Sequence, residues 1–451
     1  MVNNSEKISF KEKVGYGLGD TASNLYFQMF VNFLLFFYTD IFGIPAAVAG
    51  TMLAVSRFAD AFLDPAMGAI ADRTRTKWGS FRPYLIWGAL PLAILGVLAF
   101  ITPNFDMTGK IIYAYITYNL IMIAYTFVNI PYSAMLGVIS SNSLERTSVS
   151  TYKFVLAFVG AFVVQGLTLP LVDFFGGGNQ ALGFPTTMAI FGVVACILFY
   201  VTFKTTRERV KAPESQKTSL KSDLKNLVSN RPWMYLLIMS IFTLGYIIIR
   251  SGTIVYYFKY YIGDELLTSL FMVLGTIAVI AGVACTQFFA KKFGKKNFYI
   301  AVMLLTTILT VVFYFIPKEQ IVLIFALHIL ISFIMAPQAP LLWAMYADTA
   351  DYSEWKNNQR ATGLVFSAAI FAQKFGIAIG GGLAGWLLAM FGFIANTQQS
   401  PETLEGILFM MSFIPAVGSF IPAIAAFFYE LDDKKMKQIE IELEARKALS
   451  N

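Results

Sequence analysis

Apolar runs long enough to cross a bilayer recur from one end of this chain to the other, separated by short polar turns. A helix needs about 20 predominantly apolar residues to span the hydrocarbon core. The pattern predicts about twelve such helices, near residues 14–42, 45–71, 83–101, 110–139, 148–175, 184–203, 233–262, 266–290, 298–316, 321–347, 362–391 and 404–429. One polar connection, 204–232, is far longer than the rest. It divides the chain into a six-helix bundle at 1–203 and a second at 233–430, with a tail at 431–451. The tail alternates charge at helical spacing and reads as a solvated or surface-lying helix.

Within the second run, Arg57, Asp60 and Asp64 interrupt a stretch otherwise rich in Ala, Val, Leu, Met and Gly. A charge at mid-membrane costs about 2.5–3.5 kcal/mol on insertion scales. At helical spacing the three share one face, so that face turns away from lipid. One reading is a buried ion pair that locks two helices. The other is a cation or proton site, which follows because one Arg cannot neutralise two Asp.

Composition agrees with the pattern. The 451 residues are 57% hydrophobic and only 14% charged, where a soluble domain carries about 25%. The polar N-terminus lacks a short apolar core with a cleavage site, so no removable signal is expected. Cys196 and Cys285 both sit in apolar runs and suggest neither a disulfide framework nor a metal motif. The net charge of +7 would suggest nucleic acid in a soluble chain, but the distribution of Lys and Arg says otherwise. Nearly all lie in one set of connections, including Arg73, Arg75, Lys77 and Arg82, then Lys291, Lys292, Lys295 and Lys296, and both tails. The positive-inside rule places both termini in the cytoplasm, which requires an even number of spans. The charge is a topology signal, and no nucleic-acid partner is expected.

A weak repeat links the halves. Asn129-Ile130-Pro131 matches Gln338-Ala339-Pro340, and Glu145-Arg146-Thr147 resembles Gln359-Arg360-Ala361-Thr362. Two six-helix halves related by an axis along the membrane normal form the plan of the major facilitator superfamily, in which substrate binds between the halves.

The turn after the second run reads Gly68-Ala69-Ile70-Ala71-Asp72-Arg73, then Trp78-Gly79-Ser80-Phe81-Arg82-Pro83. It resembles the signature of the glycoside–pentoside–hexuronide:cation symporters, the relatives of melibiose permease. Tyr16 through Asp20, Phe37 through Asp40, Arg57 through Pro65, Asn129 through Tyr132 and Asp348 through Tyr352 agree with it. The resemblance covers nearly the whole chain.

The resemblance implies a multi-pass cell-membrane symporter, not an enzyme, with no cofactor beyond a coupling ion, H⁺ or Na⁺. Asp60 and Asp64 match the family's cation-site carboxylates, which would be the ligands of Na⁺; Thr126 matches a hydroxyl lining that site, and Arg57 accompanies them. Leu63 stands where sodium-using members often carry Asn, so one oxygen ligand is missing and H⁺ is favoured. Asn24 and Asn129 stand where melibiose permease has acids that hold galactoside hydroxyls. Lys153, Lys374 and Trp343 match further substrate-site positions, with Tyr26, Tyr132 and Arg250 nearby.

The embedded charges, Asp60 and Asp64 against Arg57, Lys153, Arg250 and Lys374, leave a positive excess once one Asp is protonated. Asp20 and Lys259 are placed near the ends of their spans and left out of this balance. The missing partner is then expected to be the carboxylate of an acidic sugar. A neutral pentoside or oligosaccharide is the alternative, and a lysolipid transporter of the same fold is the rival class. Asp72, Arg73, Arg146, Asp348, Asp351 and Arg360 form an expected cytoplasmic gate. His328 reads as core, and Gly380-Gly381-Gly382 as a site of close helix packing. The protein is expected to work as a monomer in the lipid bilayer.

Overall fold

A computed structural model describes residues 7–140, 143–209, 230–357 and 362–450. Most of these residues are helical, and short turns and loops join the helices. The helices are α1 (Phe10–Asn32), α2 (Ala46–Arg73), α3 (Arg82–Ala99), α4 (Met107–Val138), α5 (Ser143–Gly176), α6 (Gln180–Thr205), α7 (Arg231–Tyr256), α8 (Leu267–Phe293), α9 (Lys295–Tyr314), α10 (Ile321–Met335, continued by Gln338–Asn357), α11 (Thr362–Met390), α12 (Pro401–Met411, continued by Phe413–Phe428) and α13 (Asp433–Ser450). Eleven helical stretches among the described residues are long and apolar enough to cross a membrane. To these α1 adds a helix of 23 residues that is set apart by its polar stripe. Of the long connection expected at 204–232, residues 210–229 lie outside the described residues, as does the proposed gate residue Arg360.

Two compact units emerge, and they do not simply follow chain order. The first comprises Met1–Glu214 together with Phe258–Val273 and Gly385–Ser400; the second holds Ser215–Tyr257, Leu274–Ala384 and Pro401–Asn451. In the first, Tyr16 and Tyr132 stack at 4.8 Å. Each hydroxyl donates to the other residue's carbonyl, at 3.1 and 2.7 Å, so two bulky aromatics tie α1 to α4 with no polar atom wasted. Gly385 packs against Gly50, where an added Cβ would come within 2.6 Å of the Gly50 Cα.

In the second unit, Trp233, Leu236, Tyr299, Tyr346 and Ala426 belong to one buried cluster. Gly380 presses on α7, leaving only 2.7 Å between an added Cβ and the Gly245 carbonyl, which bears out the close packing expected there. His328 is buried against Gly275. The tail helix α13 lies against the protein, burying Met436, Ile439 and Leu443. Trp355 Nε1 donates to Glu442 at 2.5 Å, and Arg446 donates to the Trp355 carbonyl at 2.9 Å.

The turn after α2 is held by a residue with no part in its sequence signature. Gly79 adopts φ +113°, a left-handed region that favours glycine. The Glu208 carboxylate accepts from the backbone N–H of Ser80, Phe81 and Arg82 at 2.8–2.9 Å. It thereby satisfies the unpaired donors at the start of α3. Arg209 forks onto Glu12 at 2.7 and 2.8 Å, which raises the guanidinium's proton affinity.

Candidate functional site

In the first unit, α2 and α4 bring the coupling-site candidates together. Thr126 Oγ1 donates to Asp60 Oδ1 at 2.7 Å, and Asp60 is only 4% exposed. Arg57 does not close on either carboxylate: its Nε donates to the Tyr118 hydroxyl at 2.9 Å, and its guanidinium lies 5.7 Å from the Phe27 ring centroid. The helix-locking ion pair is therefore not what Arg57 forms. Asp64 follows one turn later on the same helix, half-buried. Leu63 between them is 38% exposed.

Beside this pair runs a row of polar side chains on α1: Asp20, Asn24, Gln28 and Asn32, each four residues from the last. That spacing puts all four on one face. Asn24 Nδ2 donates to the Asp20 carbonyl at 3.0 Å. Asn32 Nδ2 donates to Gln28 Oε1 at 2.9 Å, and Gln165 of α5 reaches the same oxygen at 3.4 Å. Asn129 of α4 donates to the Tyr125 hydroxyl at 3.3 Å. Sequence reasoning found Asn24 and Asn129 but passed over Gln28, Asn32 and Gln165. The signal was the four-residue recurrence of polar side chains in a spanning helix.

Other candidates have settled structural partners. Tyr26 is buried against Gly96, and Tyr132 is engaged with Tyr16. Lys153 pairs with Asp20 at 3.8 Å and lies 5.6 Å from the Tyr132 ring centroid. The charge balance drawn from sequence omitted Asp20, and this pair removes one cation from the expected excess.

In the second unit, Arg250 of α7 is 7% exposed and faces the Phe313 ring at 5.5 Å. Its Nε and Nη2 have no hydrogen-bond partner among the described residues. Trp343 of α10 is 37% exposed and meets Tyr346 edge-on at 6.3 Å. Lys374 of α11 is half-buried. Among the gate candidates, Asp348 forms an ion pair with Lys295. Arg146 donates to the Ser140 carbonyl at 3.1 Å, Asp72 and Arg73 are exposed, and Asp351 is half-buried.

A second charged cluster, unforeseen from sequence, closes the far end of α1. There the chain widens into a π-helical turn, Phe37–Ile41, and α7 is followed by another, Tyr257–Ile262. Such turns recur at functional sites. Lys259 Nζ bridges Asp40 Oδ1 and Asn396 Oδ1, both at 2.9 Å. The Tyr260 hydroxyl donates to Asp40 and accepts from the Asn396 N–H. Asn396 holds φ +57°, a left-handed conformation that Asn tolerates better than most residues. Asp40, Lys259, Tyr260 and Asn396 all belong to the first unit, although they come from both halves of the sequence.

Comparison with known proteins identifies the family. The model of the MFS/sugar transport protein family matches residues 15–433. A putative glycoside/cation symporter of Escherichia coli is 37% identical, over 97% of this chain and 95% of its own length. The isoprimeverose transporter of Lactiplantibacillus pentosus is 36% identical, over 98% of this chain and 93% of its own. A glucuronide carrier protein homolog of E. coli is 31% identical, over 98% and 97%. Among solved structures, a D-xylose–proton symporter shares the fold with a TM-score of 0.64 at 14% identity, covering 93% of this chain and 97% of that one. Helical spans and matching relatives along nearly the full length place the chain in one class: it belongs to the MFS/sugar transport protein family, multi-pass membrane transporters of the major facilitator fold.

Proposed function

We propose that this protein carries a neutral glycoside into the cell together with a proton, by alternating access, with both termini cytoplasmic. The observation that carries the sugar reading is the polar row on α1. Carboxamides both donate and accept hydrogen bonds, as sugar hydroxyls do, so Asn24 and Gln28 can address a ring of hydroxyls without fixed charge. Asp60 is the coupling group: a buried carboxylate in a spanning helix, held by the Thr126 hydroxyl, is suited to bind a proton or cation during transport. Leu63 supplies no oxygen, and Na⁺ wants several, which favours H⁺. Relatives named for a glycoside and for isoprimeverose support a glycoside cargo. Another relative, from Escherichia coli, is named an inner membrane symporter, which supports that location.

A second reading, an acidic sugar, rests on Arg250, a buried guanidinium whose Nε and Nη2 lack partners among the described residues. A buried cation favours an incoming carboxylate, and a relative named a glucuronide carrier homolog is in keeping with it. Counterflow in proteoliposomes with labelled neutral glycosides and the matching uronides, at two pH values and with or without Na⁺, separates the readings. Uptake of the neutral sugar driven by a pH gradient without Na⁺ is the expected result. Preference for the uronide, or an absolute need for Na⁺, would overturn the corresponding half of the proposal.

A further inference from the structure

A groove of about 410 Å³ lies among α8, α9 and the first part of α10, far along the chain from the polar row of α1. Cys285, Phe289 and Phe293 of α8, Phe298 and Ala301 of α9 and Phe333 of α10 line it. Phe289 stacks on both Phe293 and Phe298, with centroids 6.4 and 5.6 Å apart. The result is a flat aromatic wall suited to an extended hydrocarbon chain.

The end of this wall is basic. Lys292 Nζ lies 5.4 Å from the Phe293 ring centroid. Lys291 and Lys292 are exposed and Lys296 is half-buried. Lys295 alone in this turn is engaged by acids, through its side chain with Asp348 and through its N–H with Asp433. Lys291, Lys292 and Lys296 form no ion pair among the described residues.

We propose that this groove binds one anionic phospholipid, with an acyl chain along Phe289, Phe293 and Phe298 and the headgroup phosphate on Lys292 and Lys296. Any lipid tail fits an apolar slot equally well inside a bilayer, because there is no hydrophobic gain in leaving other tails. Selection must therefore come from the lysines.

Cys285 in the groove wall reports occupancy. The full-length Cys196→Ser protein is held in micelles containing phosphatidylglycerol or phosphatidylcholine. Alkylation of Cys285 by N-ethylmaleimide is then timed by mass spectrometry. Phosphatidylglycerol is expected to protect Cys285 at about fivefold lower mole fraction than phosphatidylcholine, for each lysine engaged. Lys292→Gln with Lys296→Gln should bring the two lipids level, while the paired Lys→Arg changes keep the difference. Native mass spectrometry should show a retained phosphatidylglycerol adduct in the parent and Arg forms, and none in the Gln form. Equal protection by both lipids, protection that survives the Gln changes, or equal protection by inorganic phosphate would overturn the proposal.

Discussion

Helices α1 and α7 occupy matching places in the two halves, yet they carry different chemistry. Each is followed by a π-helical turn closed by a glycine at positive φ, Gly43 at +80° and Gly263 at +89°. Aligning those glycines sets Tyr26 against Tyr246, and both tyrosines are buried. The same register sets Asn24 against Leu244, Gln28 against Ile248, Asn32 against Gly252 and Phe30 against Arg250. The duplicated fold repeats the backbone device, while hydrogen-bonding capacity is gathered on one helix and a single buried cation on the other. Backbone geometry is what both halves need to pack. The asymmetric chemistry is what a polar cargo and a coupling ion require.

The comparison can be broken at several points. The largest effect is expected at the carboxylate beside α1: Asp60→Asn should reduce concentrative uptake to the passive leak while leaving sugar exchange at equilibrium measurable. Retained accumulation against a gradient would remove Asp60 from coupling. Giving α1 the residues of α7 comes next. Asn24→Leu or Gln28→Ile should each weaken half-saturation in counterflow about tenfold, the equivalent of about 1.4 kcal/mol. Unchanged half-saturation would mean that the polar row serves packing alone.

The ends of the two helices differ in another way, since Asp40 and Lys259 pair with each other. Asp40→Asn leaves Lys259 without its carboxylate and should cost about 2 kcal/mol of stability, less than the full value of a buried pair because Lys259 is partly exposed. A lower thermal midpoint in detergent, partly restored by adding Lys259→Met, is the signature. Giving α7 the residue of α1, Arg250→Phe, should change neutral-glycoside uptake less than about twofold, because on this reading no carboxylate is lost from the cargo. A loss of uptake far beyond that would favour the acidic sugar.

The smallest effect lies at the terminal end, where the ion pair with Lys13 at 2.9 Å holds the Glu145 carboxyl below its usual range. That stabilisation is complete above the ordinary carboxylate value near pH 4.3 and disappears as pH falls through the lowered one. Glu145→Gln should therefore cost about 0.5 kcal/mol at neutral pH and nothing in strong acid. An equal cost at both pH values would contradict the assignment.

The spans were legible because length and hydropathy are properties of consecutive residues. The pairing of Asp60 with Thr126 was legible only through the resemblance, as the two lie on different helices. Lys153 shows where a charge balance drawn along the chain fails. Asp20 belongs to another helix, and its distance from Lys153 is a fact of packing. Glu208 escaped notice for the same reason: a carboxylate in a polar connection has no pattern that marks it as the cap of a helix far earlier in the chain.

Sequence alone determined that this chain crosses a membrane many times and has two related halves, and it led to the expectation that Asp60 and Asp64 turn away from lipid. These conclusions rest on the cost of placing polar groups in hydrocarbon, which each segment bears locally. Tertiary structure decided which partner each charge takes: Arg57 with Tyr118, Lys153 with Asp20, Lys259 with Asp40. An ion pair depends on a few ångströms between helices, and that distance is set by the close packing of glycines and aromatics across the fold.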